Sequence, residues 1–106
     1  MKVAIQGIRG SFHHIVAEQY FGKNVDLGEC LLFSEMPDLL KENKAEVLIM
    51  AIENSIAGAI LPNYALIDEY ELNICGEYYL PIHHNLMALK GQKITEIKEV
   101  YSHPMA

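Results

Sequence analysis

The chain has 106 residues, of which 51% are hydrophobic, which is enough for a packed core in one small domain or in one lobe of a larger domain. Its formal net charge of -6 disfavours nucleic acid as a partner, because an acidic surface repels phosphate groups. The N-terminus lacks the pattern of a signal peptide and no stretch approaches the ~20 apolar residues of a membrane span, so we expect a cytoplasmic protein with no membrane partner.

The cysteines and histidines do not form the pattern of a disulfide framework or of a metal site. Cys30 and Cys75 both lie in apolar runs, where reduced core thiols are expected. The histidines include two adjacent pairs, His13-His14 and His83-His84, and adjacent side chains on a helix or strand point in different directions. Neither pair can hold one ion well, so we expect no metal.

The first half of the sequence predicts strands and helices in alternation. The predicted strands cover residues 2–6, 27–33 and 47–52, and the predicted helices cover about 12–22, 34–44 and 62–70. Ser11 is expected to cap the first helix and Gly22 to end it, whereas Ser34 is expected to cap the second helix, with Pro37 in its first turn. This β-α-β-α-β order predicts right-handed crossovers and a parallel sheet.

The second half of the sequence predicts extended chain. Residues 72–89 have the pattern of a mostly extended segment with interruptions at Gly76, Pro81 and Asn85, and residues 97–101 form a further predicted strand. The sequence stops soon after that strand, which leaves its apolar face without a covering layer. We therefore expect the sequence to be cut from a longer one.

Two polar motifs follow predicted strands and offer groups for a ligand. In Gly7-x-x-Gly10-Ser11, the glycines permit close backbone approach and the start of the next helix favours an anion, although a structural turn with a serine cap is the alternative. Glu53-Asn54-Ser55-x-x-Gly58 follows the most hydrophobic strand, at the end where parallel sheets bind ligands. Its carboxylate, amide and hydroxyl supply acceptors, donors and a proton carrier, although a plain polar turn remains open.

Two further motifs lie in the extended half. Gly76-Glu77 precedes an alternation of apolar and polar residues, and Glu77 could line a cleft or lie at the surface. Ser102-His103-Pro104 follows the last predicted strand, where Ser102 could bind a ligand or cap a helix. The sequence has no Gly-x-Ser-x-Gly elbow, which argues against a Ser-His-Asp hydrolase.

These four motifs occur in the order seen in prephenate dehydratases, and the chain resembles that family over nearly its whole length. The family's Gly-Pro-x-Gly-Thr-Phe is similar to residues 7–12, where Ile8 replaces proline and Ser11 replaces threonine. Its Pro-x-Glu-Asn-Ser-x-x-Gly is similar to residues 51–58, in which the proline is lost. Its Gly-Glu-x-x-Leu-x-Ile-x-His-x-Leu and Ser-His-Pro are matched at residues 76–86 and 102–104.

The resemblance implies an α/β fold of two lobes, like a type II periplasmic binding protein, with the site between the lobes. Residues 1–76 would form the first lobe with a parallel-rich sheet, and residues 77–106 would form the crossover strand and the incomplete start of the second lobe. The resemblance also implies conversion of prephenate to phenylpyruvate, carbon dioxide and water in phenylalanine biosynthesis, without a cofactor.

The resemblance further implies roles for individual residues. Glu53 and Asn54 would line the substrate pocket as catalytic residues, and Ser55 would shape the turn and bind substrate. Ser102 would hydrogen-bond the substrate from the second lobe. We also expect the helix start at Gly10 and Ser11 to bind a substrate carboxylate.

Two hypotheses about activity follow. The family's chief catalytic threonine lies in a Thr-Arg-Phe motif that this sequence lacks, as it lacks the phenylalanine-binding ACT domain, so we expect a dehydratase fragment that is inactive alone. The alternative is a non-catalytic module that binds small carboxylates, favoured by the departures at Ile8, at Ser11 and at His13, where the family often has serine. An isolated lobe should expose apolar surface, so we expect a homo-oligomer.

Overall fold

The computed structural model describes residues 1–102, and its core is a parallel sheet with a helix against each face. The strands are β1 (Lys2–Gln6), β2 (Asp26–Cys30), β3 (Val47–Ile49), β4 (Glu53–Asn54) and β5 (Gly58–Ala59). The α-helices are α1 (Phe12–Phe21), α2 (Met36–Lys41) and α3 (Leu61–Glu69). Two 3-10 turns cover Phe33–Glu35 and Ile94–Glu96.

Strand β1 lies at the centre of the main sheet, in the order β2-β1-β3, and both of its neighbours run parallel to it. Val3 pairs with Leu27 on one side and with Val47 on the other. Parallel neighbours need crossover connections, and α1 and α2 provide them. The predicted α/β class with a parallel sheet is confirmed.

The sheet is buried on both faces because side chains alternate along β1. Val3 and Ile5, both fully buried, pack with Ala17 of α1 on one face. Ala4 packs with Met36 of α2 on the other face. These two small clusters form the core of the described chain. Leu48 and Ile49, at the end of β3, pack against them.

Several predicted features of the first half need correction. Strand β2 ends at Cys30 and β3 at Ile49, so both are shorter than predicted. Ser34 does not cap α2, because it lies inside the 3-10 turn that precedes the helix. Pro37 does lie in the first turn of α2, and the cap of α1 at Ser11 and its end at Gly22 are confirmed.

The strand predicted over residues 97–101 is wrong, and residues 72–89, predicted to be mostly extended, form no paired strand. The structure shows no strand between residues 72 and 102, and Cys75, expected in the core, is exposed. A strand needs a neighbouring strand to satisfy its backbone groups, and Pro81 has no N–H to contribute to one. Part of this extended segment (residues 72–102) instead follows α1, where Tyr20 contacts Tyr78 and Phe12 contacts His84.

Candidate functional site

The Glu-Asn-Ser motif forms the hairpin of β4 and β5, just beyond the end of β3. Glu53 pairs with Ala59, and Asn54 pairs with Gly58. Gly58 has a φ of +78°, a left-handed conformation that suits glycine. This hairpin was not predicted, because strands of two residues leave no periodic pattern in the sequence. It places the motif at the carboxyl end of the parallel sheet, as the sequence predicts.

The turn of the hairpin is held by the side chain of Asn54. Its Oδ1 accepts hydrogen bonds from the backbone N–H groups of Ile56, at 2.9 Å, and Ala57, at 3.2 Å. Two backbone donors identify that atom as the amide oxygen, so Nδ2 is the part of Asn54 that can donate to a ligand. Ser55 lies exposed in the same turn.

The first turn of α3 holds the approach to the hairpin at two points. Nδ2 of Asn63 donates to the carbonyl oxygen of Ala51 at 2.7 Å, and Asn63 is 1% exposed. The hydroxyl of Tyr64 donates to Oε1 of Glu53 at 2.9 Å. That hydrogen bond raises the pKa of Tyr64 above its ordinary value, with smaller contributions from burial and from the charge of Glu53.

Sequence reasoning missed both of these α3 residues. Asn63 is 12 residues from its partner and Tyr64 is 11 residues from its partner, so no local spacing pattern links them. An asparagine and a tyrosine at the start of a predicted helix indicate a solvated helix face when no tertiary contact is known. Only the fold brings them to the hairpin.

The glycine turn (residues 7–11) is organised by His14. The N–H of Gly10 donates to Nδ1 of His14 at 2.7 Å, and Oγ of Ser11 accepts from the backbone N–H of His14 at 3.3 Å. Nε2 of His14 lies 3.1 Å from Oε1 of Glu18. Because Nδ1 accepts a hydrogen bond, the imidazole proton is on Nε2 and donates to Glu18. A substrate carboxylate at Gly10 would therefore have to displace His14.

The Gly-Glu motif of the extended segment lies beside α1. The hydroxyl of Tyr78 hydrogen-bonds Oε1 of Gln19, and a Cβ at Gly76 would meet the hydroxyl of Tyr20. His84 lies against Phe12 with 5.7 Å between ring centroids. The fold thus brings His84 of this motif against Phe12, the residue that follows Ser11.

Ser102 lies in a cleft of about 980 Å³ that is formed by residues of the extended segment, including His84, Asn85 and Lys98. A smaller cleft of about 330 Å³ lies between α2 and the end of α3. The hairpin and the glycine turn line neither of these two clefts. His84 thus contacts Phe12, which follows the glycine turn, and lines the same cleft as Ser102, whereas Glu53 lines neither of these two clefts. His103 and Pro104 of the last motif lie outside the described residues.

Other kinds of site find no support in the described part of the chain. Within residues 1–102, no three His, Cys, Asp or Glu side chains are placed to hold a metal ion. None of the helices described is long and apolar enough to cross a membrane.

A match to a protein-family model shows which family this chain belongs to. The family model of prephenate dehydratase matches residues 3–106. The chain belongs to the prephenate dehydratase family. Two relatives are each 36% identical to this chain. They are arogenate dehydratase 2 of Petunia hybrida, matched over 100% of the chain, and a bifunctional chorismate mutase/prephenate dehydratase of Buchnera aphidicola subsp. Schizaphis graminum, matched over 92%.

A solved structure supports the fold of the family. The prephenate dehydratase of Streptococcus mutans is 29% identical to the chain, with a TM-score of 0.59 over 64% of this chain and 35% of that one. The chain spans about a quarter of the length of the curated relatives it matches, 27% and 26% for the two named above. The α/β fold with its parallel sheet is consistent with the periplasmic-binding-protein-like architecture that the motifs indicate.

Proposed function

We propose that this chain supplies the Glu53-Asn54 part of a prephenate dehydratase site, which converts prephenate to phenylpyruvate, carbon dioxide and water in phenylalanine biosynthesis. The observation that carries the proposal is the hairpin beyond β3, in which Asn54 presents its Nδ2 and Glu53 is held by Tyr64. Membership of the family supplies the reaction. The hairpin supports the proposal because it holds a carboxyl group and an amide donor on neighbouring residues.

The chemistry assigns a different task to each group. The ring hydroxyl leaves as water once it gains a proton, and the ring carboxylate leaves as carbon dioxide while its bonding electrons complete the aromatic ring. Glu53 is the proton donor at the departing hydroxyl, and Nδ2 of Asn54 donates a hydrogen bond to a substrate oxygen. Ser55 shapes the turn and lies within reach of the same ligand.

Gly10, Ser11 and Ser102 are proposed to hold the substrate from other sides. Prephenate carries two carboxylates, and the start of α1 favours one of them after His14 is displaced from Gly10. Ser102 would donate to the substrate from the second lobe. These contacts require the hairpin and the extended segment to face one cleft. The division into a first lobe (residues 1–76) and the crossover strand with the incomplete start of a second lobe (residues 77–106) is therefore part of the proposal.

Calorimetry separates this proposal from a generic carboxylate-binding module. The purified chain would be titrated with prephenate, arogenate, phenylpyruvate and unrelated amino acids. Arogenate belongs in the set because several relatives are named arogenate dehydratases. We expect prephenate or arogenate to bind more tightly than the other ligands. Equal affinity for all of them would support the generic module and contradict the proposal.

A chimaera tests the catalytic role of Glu53. This chain would replace the matching residues of the Streptococcus mutans enzyme, and phenylpyruvate formation would be followed by absorbance. We expect Glu53→Gln to lower kcat by about 10²-fold or more, the contribution of a general acid, and Glu29→Gln on β2 to leave kcat unchanged. A chimaera that unfolds cooperatively but forms no phenylpyruvate, or a Glu53→Gln variant with full activity, would contradict the proposal.

A further inference from the structure

Tyr64 makes a contact to the candidate site that the four sequence motifs do not include. Its hydroxyl donates to Oε1 of Glu53, on a side chain that is otherwise exposed at the start of the hairpin. An exposed glutamate samples several rotamers in water, and a hydrogen bond from the hydroxyl of Tyr64 favours those that keep Oε1 near that hydroxyl. The bond leaves Oε2 as the carboxylate oxygen without a partner among residues 1–102.

The position of Tyr64 is itself fixed by the neighbouring residue. Asn63 is 1% exposed, and its side chain binds the backbone of Ala51, two residues before Glu53. Consecutive residues of α3 therefore hold the backbone and the side chain of the same short segment. A buried anchor beside an exposed contact is the arrangement expected of a support for a functional side chain.

We propose that Tyr64 is a positioning residue that orients the carboxyl group of Glu53, so that Oε2 faces the departing hydroxyl of the substrate. This inference rests on the proposed function, because it gives Glu53 a substrate to face. Tyr64 acts through Glu53 and does not touch the substrate.

The chain contains a matched control for Tyr64. The hydroxyl of Tyr70, at the other end of α3, donates to Oδ1 of Asp38 at 3.3 Å, and its pKa is raised chiefly by the charge of Asp38. Tyr64→Phe and Tyr70→Phe each remove one hydroxyl that is bonded to one carboxylate. Only Tyr64→Phe removes the contact to the candidate site.

The first measurement follows the tyrosine hydroxyls by NMR during an alkaline pH titration of the whole chain, with and without saturating prephenate. We expect prephenate to raise the pKa of Tyr64 further, because a bound dianion disfavours the phenolate, and to leave Tyr70 unchanged. We also expect Glu53→Ala to lower the pKa of Tyr64 toward its ordinary value. A Tyr64 titration that responds neither to Glu53→Ala nor to bound prephenate would overturn the inference.

The second measurement is the dissociation constant for prephenate by calorimetry, together with the thermal midpoint. Tyr64→Phe should weaken binding by about threefold to tenfold, the effect of losing one hydrogen bond to the carboxyl group of Glu53, with a thermal midpoint close to that of the parent. Tyr70→Phe should bind like the parent chain. A purely structural role for Tyr64 would instead lower the thermal midpoint and leave the affinity unchanged, and that result would overturn the inference.

The outcomes distinguish this inference from the proposed function. If the parent chain binds no prephenate, the proposed function fails, and the positioning role fails with it. If the parent binds prephenate while Tyr64→Phe binds it equally well, only the positioning role fails. Weakened binding in Tyr64→Phe alone, with a prephenate-dependent Tyr64 titration, supports both.

Discussion

Asn63 shows how one buried side chain sets the geometry of the candidate site. Its side-chain amide is almost completely buried and donates a hydrogen bond to the carbonyl oxygen of Ala51. Burying a polar group without a partner lowers stability, so this hydrogen bond favours one position of α3 against the chain before the hairpin.

Asn63→Ala should lower the free energy of unfolding by about 1–3 kcal/mol, because the Ala51 carbonyl loses its partner and a small cavity remains. Chemical denaturation measures the effect. Asn73→Ala, at an exposed asparagine of the extended segment, is the control and should change stability by less than about 0.5 kcal/mol. Equal stability of the two variants would show that the buried amide does not hold the hairpin.

His13 is a second residue with an environment that the sequence did not reveal. Its Nε2 is buried without a hydrogen-bond partner among the described residues, and its ring lies against Phe33 with 5.3 Å between centroids. Burial lowers the pKa of His13 below the ordinary value of 6.5.

The lowered pKa of His13 predicts a loss of stability in mild acid. In the unfolded chain, His13 binds a proton below pH 6.5, whereas in the folded chain burial opposes that protonation. The free energy of unfolding present above pH 6.5 is therefore partly lost as the pH falls through the lower pKa of the folded state. Denaturation curves between pH 7.5 and 5 should show a smaller decline for His13→Leu than for the parent. Parallel declines in the two proteins would contradict this assignment.

Among the helices and strands, those whose start and end are set by neighbouring residues could be predicted from the sequence. The apolar run after Met1, the cap at Ser11 and the glycine at position 22 each lie within or next to the element they predict. Accordingly, β1 and α1 form as predicted. Ser34 carries the same capping signal as Ser11 but lies in a 3-10 turn, because α2 begins later. The tertiary contact of Tyr64 with Glu53 and the lack of pairing for residues 72–102 depend on distant parts of the chain, which no local pattern contains.

The two serines make this difference measurable. Ser11→Ala should lower the free energy of unfolding by about 1 kcal/mol, because the backbone N–H of His14 loses its acceptor at the start of α1. Ser34→Ala should leave stability nearly unchanged. Chemical denaturation of both variants tests the claim, and an equal loss in the two would show that Ser34 is a cap after all.

At the scale of the whole molecule, the described chain consists of a well-packed sheet region and an extended segment with many exposed apolar side chains. Large exposed apolar residues of that segment include Tyr79, Met87, Leu89 and Tyr101, each more than 80% exposed. Apolar surface of this extent is normally covered by another layer of protein.

We therefore predict that the purified chain self-associates, as expected for a homo-oligomer. Light scattering should show a mass that rises with protein concentration. Met87→Lys combined with Leu89→Lys should reduce the association, whereas the same change at two exposed polar residues, Gln92 and Glu96, should not. A monodisperse monomer at high concentration would contradict the prediction.

Asn54 allows a direct test of whether the Glu-Asn-Ser hairpin binds prephenate. Asn54→Asp keeps an oxygen to accept from Ile56 and Ala57, but it removes the Nδ2 donor and places a negative charge beside a dianion. Asn73→Asp adds the same charge at an exposed site away from the hairpin. By calorimetry, we expect saturable prephenate binding by the parent and by Asn73→Asp, and binding at least about tenfold weaker by Asn54→Asp. Equal affinity of Asn54→Asp and the parent would contradict it.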